Sequence, residues 1–126
     1  MAILDDFRLD GKLALVTGAS QGIGQGMAKA LAEAGADIID FSRGSSDGGG
    51  VTRAIIEGLG RTYSFYQTDL ADRDGLYRSI AAVKSDARTP DILVNNAGVI
   101  LRTPAAEHSD EYWDQVIEVN LSSQFI

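Results

Sequence analysis

The chain has 126 residues, 44% apolar and 23% charged, with 11 basic and 18 acidic side chains and a formal charge of −7. This is the composition of an ordinary globular chain of single-core size, and its negative balance argues against a nucleic acid or an anionic membrane surface as partner. There is no cysteine, so disulfides and thiolate chemistry are excluded. A cytoplasmic setting is the expectation, because the acidic start does not read as a secretory signal and no apolar run approaches the ~20 residues of a membrane span.

Residues 12–17, KLALVT, predict a first strand. The GIGQGMAKALAEAG that follows predicts a helix, with Ile23, Met27, Leu31 and Ala34 recurring along one face and Gly35 placed to end it. Residues 36–42, ADIIDFS, predict a second strand, and RGSSDGGG (43–50) breaks all periodicity, as a loop does that is flexible or is ordered by a ligand. VTRAIIEGLG predicts a short helix ending at Gly60, RTYSFYQTDL a third strand, and DRDGLYRSIAAVKSDA a helix built on Leu76, Ile80 and Val83. PDILVNNAG (90–98) carries the continuous apolar run of a parallel strand buried on both faces. Ser109 or Asp110 is placed to cap a last helix, whose face includes Trp113, Val116, Ile117 and Leu121. Four alternations of strand and helix predict an α/β fold with a parallel sheet, in one domain without internal repeat or linker.

The stretch TGASQGIG (17–24) joins the first strand to the first helix. Gly22, Gly24 and Gly26 fall in the opening turns of that helix, where each costs roughly 0.8–1 kcal/mol relative to alanine. A physical reason to keep them is a tight turn that another molecule must approach closely, with the free N–H groups of the helix start facing an anion such as a pyrophosphate. Ser20 and Gln21 add further donors. The plainer alternative is a tight turn packed on its own sheet. Asn120 stands three residues after Ile117 and four after Val116, on the predicted apolar face. An unpaired buried amide costs ~1–3 kcal/mol, so this side chain needs a partner, most simply a neighbouring carbonyl.

The spacing Gly18-x-x-x-Gly22-x-Gly24, NNAG at 95–98 and WDQVIEVN at 113–120 together resemble the short-chain dehydrogenase/reductase family, from about residue 9 onward. The resemblance implies a Rossmann-type, doubly wound parallel sheet, of which this chain supplies the first four of seven strands in the order 3-2-1-4. It implies an NAD(P)-dependent oxidoreductase that moves hydride between nicotinamide and a secondary alcohol or ketone, assembled as a dimer or tetramer. By the same resemblance Gly18, Ser20, Gln21, Gly22, Ile23 and Gly24 hold the pyrophosphate. Asp69 with Leu70 meets the adenine amino group, although the simpler role for Asp69 or Asp72 is to cap the next helix. Asn96, Ala97 and Gly98 contact ribose, with Asn95 structural. Asn120 sits at a helix irregularity, holds a water and helps anchor the catalytic lysine.

Cofactor choice turns on the end of the second strand, where an acidic residue would bind ribose hydroxyls. Ser42 and Arg43 stand there instead, and a cation can pair with a 2′-phosphate or stack on adenine, which favours NADP. Asp40, two residues earlier on the same strand face, bears on that balance. Within the family, GQGMA (24–28), NNAGVILRTPA (95–105) and WDQVIEVNL are most similar to the sugar-acid branch of deoxygluconate dehydrogenases, which generally favour NAD. The cofactor therefore stays open as NAD(P). Arg102, after NNAG, is either a contact for a substrate carboxylate or a solvated surface residue.

The family's tyrosine, with a lysine four residues later, is not found. The residues four beyond Tyr63, Tyr66, Tyr77 and Tyr112 are Gln67, Leu70, Ala81 and Val116. The sequence ends with NLSSQFI, in a predicted apolar-faced helix. The expectation is that residues 1–126 are the N-terminal, cofactor-binding half of a single Rossmann domain, inactive alone. The competing expectation is a dinucleotide-binding or oligomerisation fragment without chemistry. A methyltransferase with a similar nucleotide fold would need neither NNAG nor the mid-helix asparagine.

Overall fold

The computed structural model describes residues 2–44 and 49–126. Its strands are β1 (Leu13–Thr17), β2 (Asp37–Ser42), β3 (Tyr63–Gln67) and β4 (Ile92–Val94). They form one parallel sheet in the order β3-β2-β1-β4, the order expected. Leu13 pairs with Asp37, Ala14 with Ile92, and Ile38 with Tyr63. The helices are α1 (Gly22–Glu33), α2 (Gly50–Gly58), α3 (Arg73–Ser85), α4 (Asp110–Ile117) and the short α5 (Ser123–Phe125).

The period of two along a strand divides the core between the sheet faces. Ala14, Val16 and Ile38 pack on one side with Ala28, Ala32, Ile56 and Tyr63. Leu15, Ile39 and Phe41 pack on the other with Leu70, Leu76, Val83 and Val119. α1 and α2 thus cover one face, and α3 with the segment after α4 covers the other.

α1 does not pack by its large apolar residues. Its buried positions are Gly24, Ala28 and Ala32, whereas Ile23 is 74% exposed and Met27 40%. Size decides here, because a helix that must close on the strand-to-helix turn needs small residues on the inner face. Leu31 still packs against the core from the side.

Elsewhere the caps match their chemistry. The Asp72 carboxylate accepts the Gly75 N–H at 3.1 Å to start α3, and Ser109 Oγ accepts the Tyr112 N–H at 3.2 Å to start α4. The run 90–98 yields only a three-residue strand, and it is not buried on both faces: Leu93 is 59% exposed. β4 lies at the sheet edge with β1 as its neighbour among the described residues. The expected buried face of the last helix is also only partly found. Val116 and Ile117 are half-buried, but Trp113 and Leu121 are exposed. Of the expected loop 43–50, residues 45–48 lie outside the described residues, and α2 begins at Gly50. Among the described residues no helix is long and apolar enough to cross a membrane.

Candidate functional site

The sheet order reverses between β1 and β4, and the crevice beyond their carboxyl ends is where open parallel sheets take ligands. Thr17, the last residue of β1, closes this end. Its hydroxyl accepts the Asn96 N–H at 3.1 Å and the Ala97 N–H at 2.9 Å, and it donates to the Val94 carbonyl at 3.5 Å. Asn96 answers through its side chain, donating from Nδ2 to the Thr17 carbonyl at 3.0 Å and the Gly18 carbonyl at 3.3 Å. The glycine turn and the segment after β4 are therefore one clasped unit.

The glycines divide the two explanations of TGASQGIG between them. A Cβ on Gly24 would stand 2.1 Å from the Gly18 carbonyl oxygen and 2.5 Å from Asn96 Nδ2, so this glycine serves the packing of the turn on its own sheet. Gly22 has φ +60° and nothing within 4 Å of where its Cβ would lie. It borders the crevice, and no side chain caps the start of α1. The turn is packed tightly underneath and left open above, the shape a phosphate group needs for close approach to backbone N–H groups.

The crevice has a volume of about 660 Å³, within the range of small-molecule and cofactor sites. Gly18, Ser20, Gln21 and Gly22 line one wall, Ser42 and Arg43 the end of β2, Asp69 and Leu70 the segment after β3, and Asn96, Ala97 and Gly98 the segment after β4. Of the other sequence candidates, Gly24 is buried beneath the turn, Ile23 is exposed on α1, and Arg102 is exposed on the loop after β4. Asp69 is exposed, and its Oδ1 accepts the Ala71 N–H at 2.9 Å, a local turn, while Asp72 is the residue that caps α3.

Asn120 is exposed in this chain, not buried as its spacing predicts. The helix widens to a π turn over Glu118–Ser122, and this rotates Asn120 off the line that Val116 and Ile117 set. Its Oδ1 accepts the Val99 N–H at 2.8 Å and its Nδ2 donates to the Val99 carbonyl at 2.9 Å. The asparagine thus ties the segment after β4 to the helix, beside Gly98, and its partner is backbone, as the simplest sequence reading has it.

Two features take their roles only from the structure, Asp40 among them although its place on the second strand already bears on cofactor choice. One is Thr17, whose hydroxyl holds the clasp; a threonine ending an apolar strand carries little signal by itself. The other is Asp40, a charge inside the apolar run of β2, which is a visible signal. It is fully buried and accepts hydrogen bonds from the Ala19 N–H at 3.0 Å, the Ser20 hydroxyl at 3.0 Å, the Tyr63 phenol at 2.6 Å and the Ser42 hydroxyl. Burial first, then the hydrogen bond and charge of Asp40, push the Tyr63 phenol well above its ordinary value of 10.0. Beside this array, Thr52 donates to the Ala19 carbonyl at 2.9 Å and accepts from Gln25 Nε2 at 3.0 Å.

The family profile described as short chain dehydrogenase matches residues 12–126. The chain belongs to the short-chain dehydrogenase family. Over 124 residues the chain is 56% identical to 2-dehydro-3-deoxy-D-gluconate 5-dehydrogenase of Pseudoalteromonas atlantica, a match covering 98% of this chain and 49% of the relative. It is 48% identical over 122 residues to the protein of the same name from Bacillus subtilis, covering 97% and 47%. Among solved structures it is similar to a short-chain type dehydrogenase/reductase from Mycobacterium marinum, with TM-score 0.88 and 33% identity over 99% of this chain and 50% of that one. A putative 2-deoxy-D-gluconate 3-dehydrogenase from Agrobacterium tumefaciens, solved with bound NADP, has TM-score 0.77 and 40% identity over 94% and 45%. The chain spans about half the length of the curated relatives it matches.

Proposed function

We propose that this protein is an NAD(P)-dependent oxidoreductase acting on a secondary alcohol or ketone of a sugar acid, and that residues 1–126 are its cofactor-binding part. The observation that carries this reading is the turn at Gly22, open to the crevice at an uncapped helix start and held from below by the Thr17–Asn96 clasp. The names of the relatives from P. atlantica and B. subtilis support the substrate class.

In this reading the backbone N–H groups from Gly18 to Gly24, those of Ser20 and Gln21 among them, seat the pyrophosphate. Ser42 and Arg43 face the adenosine ribose, Asp69 and Leu70 the adenine, and Asn96, Ala97 and Gly98 the second ribose. The bound dinucleotide supplies the hydride acceptor or donor; the protein residues orient it. Asn120 holds the segment after β4 in place through Val99, and by the family resemblance it helps hold a water and anchor the catalytic lysine. Arg102, exposed and cationic on the loop after β4, is the residue this reading gives to a substrate carboxylate. Exposed Trp113 on α4 is suited to a contact between subunits of a dimer or tetramer. A Tyr-x-x-x-Lys pair does not occur in the 126 residues, so these residues by themselves are expected to bind a dinucleotide without turning it over.

Calorimetric titration of the full-length protein with NADH and NADPH, with turnover of 2-dehydro-3-deoxy-D-gluconate and gluconate followed by nicotinamide absorbance, tests the reading. Binding of at least one dinucleotide and turnover of a sugar acid are expected. Gly22→Val, strained by the positive φ and filling the open space, should weaken binding by about tenfold or more. Absence of binding by either dinucleotide refutes the proposal.

A further inference from the structure

Asp40 has no part in the cofactor contacts above, yet it is a fully buried carboxylate next to them. Ionised carboxylates only accept hydrogen bonds, at about four lone-pair positions. The four donors around Asp40 fill them: the Ala19 N–H, the Tyr63 phenol and the hydroxyls of Ser20 and Ser42. Each serine has a single hydroxyl proton; that of Ser42 goes to Asp40, and that of Ser20 is shared between Asp40 and the neighbouring Tyr63 oxygen, so neither is left for the crevice. Ser20 and Ser42 also line the crevice, beside Arg43 and Gly44. Toward whatever occupies the crevice, these two hydroxyls therefore show lone pairs alone.

We propose that Asp40 is a positioning residue for cofactor choice: through Ser20 and Ser42 it presents hydrogen-bond acceptors at the adenosine end of the crevice, favouring the free ribose hydroxyls of NAD(H) over the 2′-phosphate of NADP(H). Ribose hydroxyls donate to such acceptors. A 2′-phosphate carries only acceptor oxygens at neutral pH, so it meets lone pair with lone pair, and the buried charge of Asp40 behind the serines adds repulsion that the interior screens poorly. Arg43 acts in the opposite sense, but its cation is exposed, where solvent and salt weaken its pull. Asp40 thus stands one shell behind the position at which an acidic side chain would touch the ribose directly.

The inference rests on the reading of the crevice as a dinucleotide site, and the test separates the two. NADH and NADPH affinities are measured by calorimetry on the full-length protein, unaltered and as Asp40→Asn and Ser42→Ala. The amide of Asp40→Asn keeps the shape of the carboxylate but donates where an oxygen accepted, which turns a serine proton toward the crevice. The ratio of NADH to NADPH affinity is then expected to fall by about fivefold or more, the effect of one hydrogen bond reversed in sign. A purely structural role lowers both affinities together, and a smaller change in the ratio overturns the proposal. If Asp40→Asn does not fold, Ser42→Ala decides: it removes one acceptor while leaving Asp40 three donors, and the ratio must fall, with NADH losing more than NADPH. An unchanged or rising ratio overturns the proposal. Failure of the unaltered protein to bind either dinucleotide overturns the function proposed above instead.

Discussion

Gly24 and Gly26 lie two residues apart in α1, and the structure assigns them opposite responses to the same substitution. A methyl group on Gly24 would be 2.1 Å from the Gly18 carbonyl oxygen, 2.8 Å from the Gly18 carbonyl carbon and 2.5 Å from Asn96 Nδ2. Two of these neighbours are backbone, and the third is the amide that clasps β1 to the segment after β4, so no flexible side-chain end can swing away. Relief requires α1 to move outward from the turn. Overpacking of this kind costs typically ~1–3 kcal/mol, and more where backbone must shift. Gly26 has nothing within 4 Å of where its Cβ would lie. There alanine only removes the conformational freedom that glycine has in the unfolded chain, a gain of about 0.5–1 kcal/mol. Urea unfolding of the full-length protein should therefore show Gly24→Ala destabilised by about 2 kcal/mol or more and Gly26→Ala stabilised, a separation of roughly 3 kcal/mol. Dinucleotide affinity should fall with Gly24→Ala, because the turn moves with the helix. Equal shifts of the same sign at the two positions would refute the tight approach of α1 to the Gly18 turn.

Two further outcomes follow from the hydrogen bonds of the site. Thr17→Val keeps the shape of the side chain but leaves the Asn96 and Ala97 N–H groups without their shared acceptor; a loss of about 2–4 kcal/mol in urea unfolding is expected, and a loss under ~1 kcal/mol would remove Thr17 from the clasp. The Tyr63 phenol is raised above its ordinary 10.0 in the folded protein, first by burial and then by Asp40, so the folded state holds this proton more tightly than the unfolded chain does. Its contribution is complete below pH 10.0 and is lost as the pH rises beyond that value. Between about pH 9 and pH 11 the unaltered protein should lose more stability than Tyr63→Phe, measured by urea unfolding at each pH; parallel losses in the two proteins would disprove the burial of a protonated phenol against Asp40.

Much of the fold is written in neighbouring residues. The alternation of apolar runs with helical spacing predicts four strands and their connecting helices, and Asp72 and Ser109 stand where their side chains cap α3 and α4. The glycine turn and NNAG are legible for the same reason: a backbone turn is specified by residues next to one another, and both motifs come to the crevice at the ends of β1 and β4. Hydrophobic periodicity is less informative about α1, because it weighs apolar character and not volume. The helix turns its small residues inward, since only they allow the approach that Gly24 makes to Gly18.

By itself, then, the sequence determined the α/β class, the strand order that family resemblance implies, and the location of an anion-sized opening at the first turn. Tertiary structure decided which glycine closes the turn and which one faces the crevice. It decided that Asn120, at the helix irregularity the resemblance implies, lies exposed and bonds Val99, 21 residues away. It also brought Asp40 to donors lying as far as 23 residues off, and so set which way the serine hydroxyls of the crevice point. Local conformation depends on adjacent side chains, whereas the polarity of a buried site depends on groups that meet only once the sheet has formed.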